Sequence, residues 1–242
     1  MASKRGGRAQ SGLTRLVLET YGTRCHLRMP GCLGVATTKD HLIPWSHGGT
    51  DTLENLRPAC KRCNSKRQNR VLSGYGAIIK VVTGPPAAGK TTYIAEHAKP
   101  EDIVIDLDAI TRSLMPAPPA TTHVYPEHVR HVAIGARKAA IDRATRIAYR
   151  CTVWIIHSIP PPNVLAEYRA LRYQIITIDP GREVVEQRAR TMRPRYVWPT
   201  VAKWYATYPT GCSSIVPPLE RREQPTAEQP RTAEPVAAGA DW

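Results

Sequence analysis

The chain has 242 residues, 42% of them hydrophobic and 22% charged, and its 34 Lys and Arg against 20 Asp and Glu leave a formal net charge of +14. This balance predicts one or two globular domains rather than a disordered chain, and no apolar run reaches the roughly 18–20 residues that a membrane span requires. The N-terminal MASKRGGRAQ is charged with no apolar run behind it, so no secretory leader is expected and the cytoplasm is the expected location. A positive surplus of this size favours a polyanionic partner, nucleic acid first.

In chain order, residues 1–12 are basic and rich in Gly and Ser, the composition of a flexible arm. Residues 13–72 hold Cys25, Cys32, Cys60 and Cys63, while Cys151 and Cys212 stand apart. Such a clustered quartet in a reducing compartment predicts a metal site rather than disulfides. Ser73-Gly-Tyr-Gly76 reads as a turn-like linker. From 77 to 216 short β-branched runs (Ala77–Val82, Ile103–Ile105, Thr152–Ile156, Gln174–Ile178) alternate with helical stretches, the longest from Glu127 to about Arg150 behind Pro126. That alternation predicts an α/β domain built on a mainly parallel sheet. Residues 217–242 are Pro-, Glu- and Ala-rich without periodicity, a disordered-tail composition. The positive charge is densest at the front: residues 1–78 carry 13 basic and 4 acidic side chains, or +9.

A domain of about 60 residues has a weak core, and a metal cross-link would offset that. Cys60-x-x-Cys63 is a knuckle whose two thiolates can reach one tetrahedral zinc; Cys25 and Cys32 would complete the set, with His26 as an alternative ligand. The bland alternative is four reduced core cysteines. Between the cysteine pairs stand Asp40-His41, then His47-Gly48-Gly49, then Asn55-Leu, and the second pair runs on as Cys60-Lys-Arg-Cys63-Asn64-Ser-Lys66-Arg67.

In this order the residues resemble the HNH endonuclease family and its small ββα-metal fold, over roughly residues 20–70. The resemblance implies a phosphodiester hydrolase that leaves 5′-phosphate and 3′-hydroxyl ends. It makes His41 the general base, which its ordinary pKa near 6.5 suits. Asn55 would hold the His41 ring, and Asp40 and Asn64 would give oxygen ligands to one Mg²⁺ or Mn²⁺. Lys61, Arg62, Lys66, Arg67 and Arg70 would line the phosphate path.

After the strand ending at Thr83 comes Gly84, Pro85, Pro86, Ala87, Ala88, Gly89, Lys90, Thr91 and Thr92, the G-x-x-x-x-G-K-T phosphate loop between a strand and a helix. Backbone N–H groups of such a loop cradle a β-phosphate, the Lys90 amine reaches the β and γ oxygens, and the Thr91 hydroxyl joins a Mg²⁺ shell. The segment Ile105–Met115 resembles the polynucleotide kinase branch of P-loop phosphotransferases, which makes Asp108 the base for the acceptor hydroxyl, with Asp106 as the other candidate for base or metal shell. A helix N-cap is the structural alternative for this pair. Residues 179–195 look like a kinase lid, with Arg188 and Arg193 set to meet the transferring phosphoryl group. Two positions depart from that branch: His157 follows the strand where an acid is expected, and Thr111 stands where an Arg would meet the acceptor.

The expected whole is an α/β multidomain protein: a zinc-stabilised HNH endonuclease domain (13–72) followed by an ATP-binding P-loop kinase-like domain (77–216). DNA, and RNA ends for the kinase, are the expected partners. A single nuclease site per chain predicts nicking unless the protein dimerises; a homodimer or association with other DNA-processing proteins is the expected assembly. An ATPase switch or a small-molecule kinase are the alternatives for the second domain.

Overall fold

The computed structural model describes residues 8–119 and 123–208. The expected disordered tail (217–242), Cys212 and residues 1–7 of the expected arm lie outside the described residues. Residues 8–12 are not an arm: they open helix α1 (Arg8–Tyr21), which buries Val17 completely.

Strand β1 (Thr38–His41) and strand β2 (Leu56–Ala59) then form an antiparallel pair in which Asp40 faces Arg57 and His41 faces Leu56. Helix α2 (Lys61–Arg67) starts immediately after β2, with Cys60 as its N-cap and the Cys60 thiol accepting from the Cys63 N–H at 3.4 Å. The strands are joined by a loop containing a 3₁₀ turn, Trp45–His47, stopped by Gly48 in the left-handed conformation. Gly49 is needed for a different reason: a Cβ there would lie 1.9 Å from the Ile43 carbonyl oxygen. Two strands and a helix in this order make a ββα unit.

The second half is a four-stranded parallel sheet in the order β4-β5-β3-β6. Its strands are β3 (Ile78–Thr83), β4 (Ile103–Ile105), β5 (Thr152–Ile156) and β6 (Gln174–Thr177). Strands buried on both faces read as continuous apolar runs rather than alternating ones; accordingly Val81, Val82, Val153, Trp154 and Ile155 are all buried. Six helices connect and cover the strands: α3 (Lys90–His97), α4 (Leu107–Ser113), α5 (Glu127–Ala144), α6 (Pro162–Ala170), α7 (Arg182–Met192) and α8 (Trp198–Thr207). Because all four strands are parallel, the loops leaving β3, β4, β5 and β6 gather along one edge, where ligands of such sheets bind. Helix α5 ends six residues short of the expected Arg150, because the Thr145 hydroxyl turns back to the Ile141 carbonyl at 2.8 Å.

The 73–76 segment, expected as a linker, is a packed joint. The Ser73 N–H donates to the Leu171 carbonyl at 3.0 Å, and the Ser73 hydroxyl accepts from the Ile79 N–H. Leu27 and Met29 share one apolar core with Val71, Leu72, Ile79, Leu171 and Tyr173. Around that core, Glu167 of α6 pairs with Lys66 (2.6 Å) and Arg70, and Arg146 bonds Asn69 and Gln68 (2.9 Å to Gln68).

Candidate active site

Asp40 and His41 are neighbours on β1 that line the same cleft but take different hydrogen-bond partners. Asp40 is 3% exposed; its Oδ2 accepts from the fully buried Arg67 guanidinium and lies 2.8 Å from His26 Nε2. Arg67 also donates to the Leu42 and Arg70 carbonyls, both at 2.9 Å. This guanidinium therefore knits the end of α2 to β1 rather than lining an open phosphate path. Lys66 and Arg70, expected on that path, are spent on Glu167, which leaves Lys61 and Arg62 exposed.

The His41 ring is held by Asp51, not by Asn55. His41 Nε2 lies 2.8 Å from Asp51 Oδ1, and Gln10 of α1 donates to Asp51 Oδ2 at 3.1 Å. Burial pushes the Asp51 carboxyl up, but its bonds to Gln10 and His41 outweigh this and hold it below the usual range. Trp45 meets His41 edge-on, with ring centroids 6.3 Å apart. Asn55 does a different job: its oxygen accepts from the Ile43 N–H at 2.9 Å, and its amide donates to the Ile43 and Thr50 carbonyls. It thus fixes the loop that carries Trp45, His47 and Asp51. Asn64, on α2, donates to the Lys39 carbonyl at 2.9 Å and to the Thr38 hydroxyl, which leaves its Oδ1 as the atom able to meet a cation. Asp40, His41, Asp51, Asn64, Lys39 and Trp45 line one cleft of roughly 600 Å³; Asn55 is not part of its wall. Asp51 and Gln10 escaped sequence reasoning; the only local signal for Asp51 was a carboxylate just after the Gly48-Gly49 turn.

The four thiols of Cys25, Cys32, Cys60 and Cys63 lie within 4.8 Å of one another, a set that can hold a metal ion. His26 is turned away to Asp40 and is not a fifth candidate. Burial raises the Cys60 thiol, but the N–H groups of Cys63 and Leu33 and the neighbouring thiols outweigh it, bringing it down to about 6. An easily formed thiolate among three more sulfurs suits a soft or borderline cation such as zinc.

At the edge of the parallel sheet, the loop after β3 turns sharply. A Cβ on Gly84 would lie 2.1 Å from the Ile178 carbonyl oxygen, and Ala87 and Gly89 both have positive φ. Lys90 opens α3, is 8% exposed, and donates to the Gly84 and Pro85 carbonyls at 2.9 and 2.7 Å. Burial, and secondarily the charge of Arg193, lowers its amine to about 8. Pro86 and Ala88 complete the loop; Thr91 and Thr92 sit exposed in the first turn of α3.

Asp106, not Asp108, is the N-cap of α4: its Oδ1 accepts from the Asp108 N–H at 3.1 Å. Asp108 is left free to pair with His123 Nδ1 (2.9 Å) and Arg193 (3.6 Å). Lys90, Asp106, Asp108 and Arg193 are thus within electrostatic reach of one another, whereas Arg188 is exposed on α7. His157, after β5, lies 3.1 Å from the Tyr168 hydroxyl, and burial beside Arg137 lowers it to about 4. Thr111 spends its hydroxyl on the Leu107 carbonyl at 2.6 Å.

The model of the HNH endonuclease family matches residues 23–70, so the chain carries an HNH endonuclease domain there. That domain belongs to a class of DNA-cleaving, metal-dependent hydrolases. The match ends at Arg70, before the Gly84–Thr92 loop begins. No curated protein matches the chain.

Proposed function

We propose that the protein is a metal-dependent DNA endonuclease whose cleavage centre is the His41 cleft, leaving 5′-phosphate and 3′-hydroxyl ends. The observation that carries this reading is the convergence of His41, Asp51, Asp40 and Asn64 on one cleft inside the matched region. With Asp51 ionised, His41 Nε2 carries the ring proton, which leaves Nδ1 as the nitrogen that accepts a proton from the attacking water. Asp40 Oδ1 and Asn64 Oδ1 are hard oxygen donors of the kind Mg²⁺ or Mn²⁺ takes, and Arg67 holds the other Asp40 oxygen, Oδ2. A cation held there supplies charge for the scissile phosphate and the leaving 3′ oxygen. Asn55 keeps the loop of Asp51 in register with β1, and a zinc on the four thiols would tie the segment before β1 to the start of α2. Plasmid nicking by the wild type, lost in His41→Ala, is the test.

For the second half the reading is an ATP-binding P-loop domain that phosphorylates 5′-hydroxyl ends. It is supported by the cramped Gly84 turn, the buried Lys90 amine, and Asp108 beside Arg193. Asp108 would take the acceptor proton and Arg193 would face the phosphoryl group. The test is label transfer from γ-labelled ATP to 5′-hydroxyl but not 5′-phosphate oligonucleotides, with Asp108→Asn as the control.

A second reading, an ATPase switch acting on the nuclease, is favoured by one contact. Arg146, after α5, bonds Gln68 and Asn69, which line the His41 cleft. Phosphate release without transfer, together with cleavage that depends on ATP, would select it.

A further inference from the structure

A second cleft, of roughly 440 Å³, lies where the two halves of the chain meet, lined by His26, Leu27 and Arg28 from one half and Ala166, Arg169, Ala170 and Arg172 from the other. No acidic side chain contributes to its wall, and none of its three arginines is in an ion pair among the described residues. Arg172 lies over the Tyr75 ring, 5.7 Å from its centroid, which limits where that guanidinium can go. His26 joins this cleft to the other one, since its ring is bonded to Asp40 beside His41.

The backbone marks the same place. Four non-glycine residues among those described have positive φ: Arg28 (46°), Gln68 (55°), Ala87 (63°) and Arg172 (60°). Such conformations cost free energy, and residues held in them cluster at functional sites. Ala87 lies in the phosphate loop and Gln68 in the His41 cleft; the other two are both arginines of this cleft. Arg172 is the clearer case. It follows the end of α6, where the Tyr173 N–H returns to the Tyr168 carbonyl at 2.9 Å. That is the position at which helices ordinarily use glycine. An arginine there gives up stability and places a guanidinium at the mouth of the cleft.

We propose that Arg28, Arg169 and Arg172 form a phosphate-backbone site for the DNA strand running away from the cleavage centre, built jointly by both halves of the chain. The proposal rests on the nuclease reading above. Arginine forks match phosphate oxygens in a way lysine does not. An unpaired basic wall shared by two packed halves would also give a strand a fixed direction relative to His41. The α/β half would then serve the nuclease by holding its substrate, whatever it does with nucleotide.

The test measures duplex affinity by fluorescence anisotropy, in full-length chain carrying His41→Ala so that binding is read without cleavage. Each phosphate contact contributes about 0.9 to the slope of log K against log salt. The Arg28→Gln/Arg169→Gln/Arg172→Gln variant should lower that slope by about 2–3 and weaken binding at least about tenfold at about 0.1 M salt. Arg172→Gly is the second arm: it should raise the thermal midpoint, because glycine accepts the left-handed conformation, while the slope falls by about one. A parental slope in either variant would overturn the proposal, even if affinity fell. So would a loss of binding confined to free tripolyphosphate, which would assign the cleft to soluble nucleotides. Failure of the nuclease reading would look different: intact duplex binding with no cleavage by the His41-containing chain.

Discussion

Asp51 Oδ1 sits 2.8 Å from His41 Nε2, and the opposite oxygen of the same carboxylate is held by Gln10 from helix α1. The ring that the cleavage reading needs is therefore oriented by a carboxylate from its own loop and by a helix outside the matched family region. Replacing Asp51 with Asn should leave the fold intact and cut the cleavage rate by about 10- to 100-fold, a share of what a positioned general base contributes. His41→Ala should lose more. Single-turnover cleavage assays compare the two; a wild-type rate in Asp51→Asn would remove Asp51 from the mechanism.

The cysteine cluster makes a separate prediction about metal and folding. Purified protein should contain about one zinc per chain, and Cys63→Ser should lose it together with a large part of the thermal stability, since binding energy at such a site is folding energy. Elemental analysis and a melting curve with and without chelator are sufficient. A metal-free protein that melts at the same temperature as the loaded one would rule out a structural ion.

Lys90 makes a pH-dependent prediction. Its amine, lowered by burial from its ordinary 10.5 to about 8, is only partly protonated above pH 8 in the free protein. Under the P-loop reading proposed above, an anion bound in the Gly84–Thr92 loop favours the charged form and raises that value again. Binding of ATP at pH 8.5 should therefore take up a proton, approaching one per chain, and the uptake should vanish at pH 6.5 where Lys90 is already charged. Calorimetry in buffers of different ionisation enthalpy measures this directly; no uptake at pH 8.5 would separate Lys90 from the nucleotide. The stability sign runs the same way: between about 8 and 10.5 the unfolded chain binds more protons at this group, so its contribution improves as pH rises.

Glu167 bridges the two halves through Lys66 and Arg70, and its carboxyl is held below the usual range: burial raises it, and the two cations outweigh that. Glu167→Gln should lower stability by about 1 kcal/mol, a modest figure because Lys66 is partly solvated. Under the ATPase-switch reading it should also flatten any dependence of cleavage on ATP, which a titration of nicking rate against nucleotide would reveal.

Local pattern was enough to place several features. The thiol spacing, the Asp40-His41 step and the Gly84–Lys90 loop are short-range arrangements whose chemistry is written in consecutive residues, and β4 and β5 begin and end where their β-branched runs do. What local pattern could not carry was partnership across the fold. Whether Asn55 or Asp51 reaches the His41 ring depends on how a 14-residue loop closes on β1, and only the closed loop puts Asp51 there. Arg67 reads as one more basic residue on an exposed helix, yet it is buried because the Asp40 carboxylate lies beneath it. The cap of α4 is Asp106, because the helix begins at Leu107, immediately after it. The joint at 73–76 looked like a tether from its glycines, and it is packed because Ser73 and Tyr75 find partners 70 to 100 residues away.

The most direct test of the central claim is nicking of supercoiled plasmid in the presence of Mg²⁺ or Mn²⁺ by wild type and by His41→Ala, matched for zinc content and thermal midpoint. The wild type should give relaxed circles with 5′-phosphate ends, and the variant should lose at least about 100-fold. Cleavage by His41→Ala at the wild-type rate would place the chemistry outside the His41 cleft.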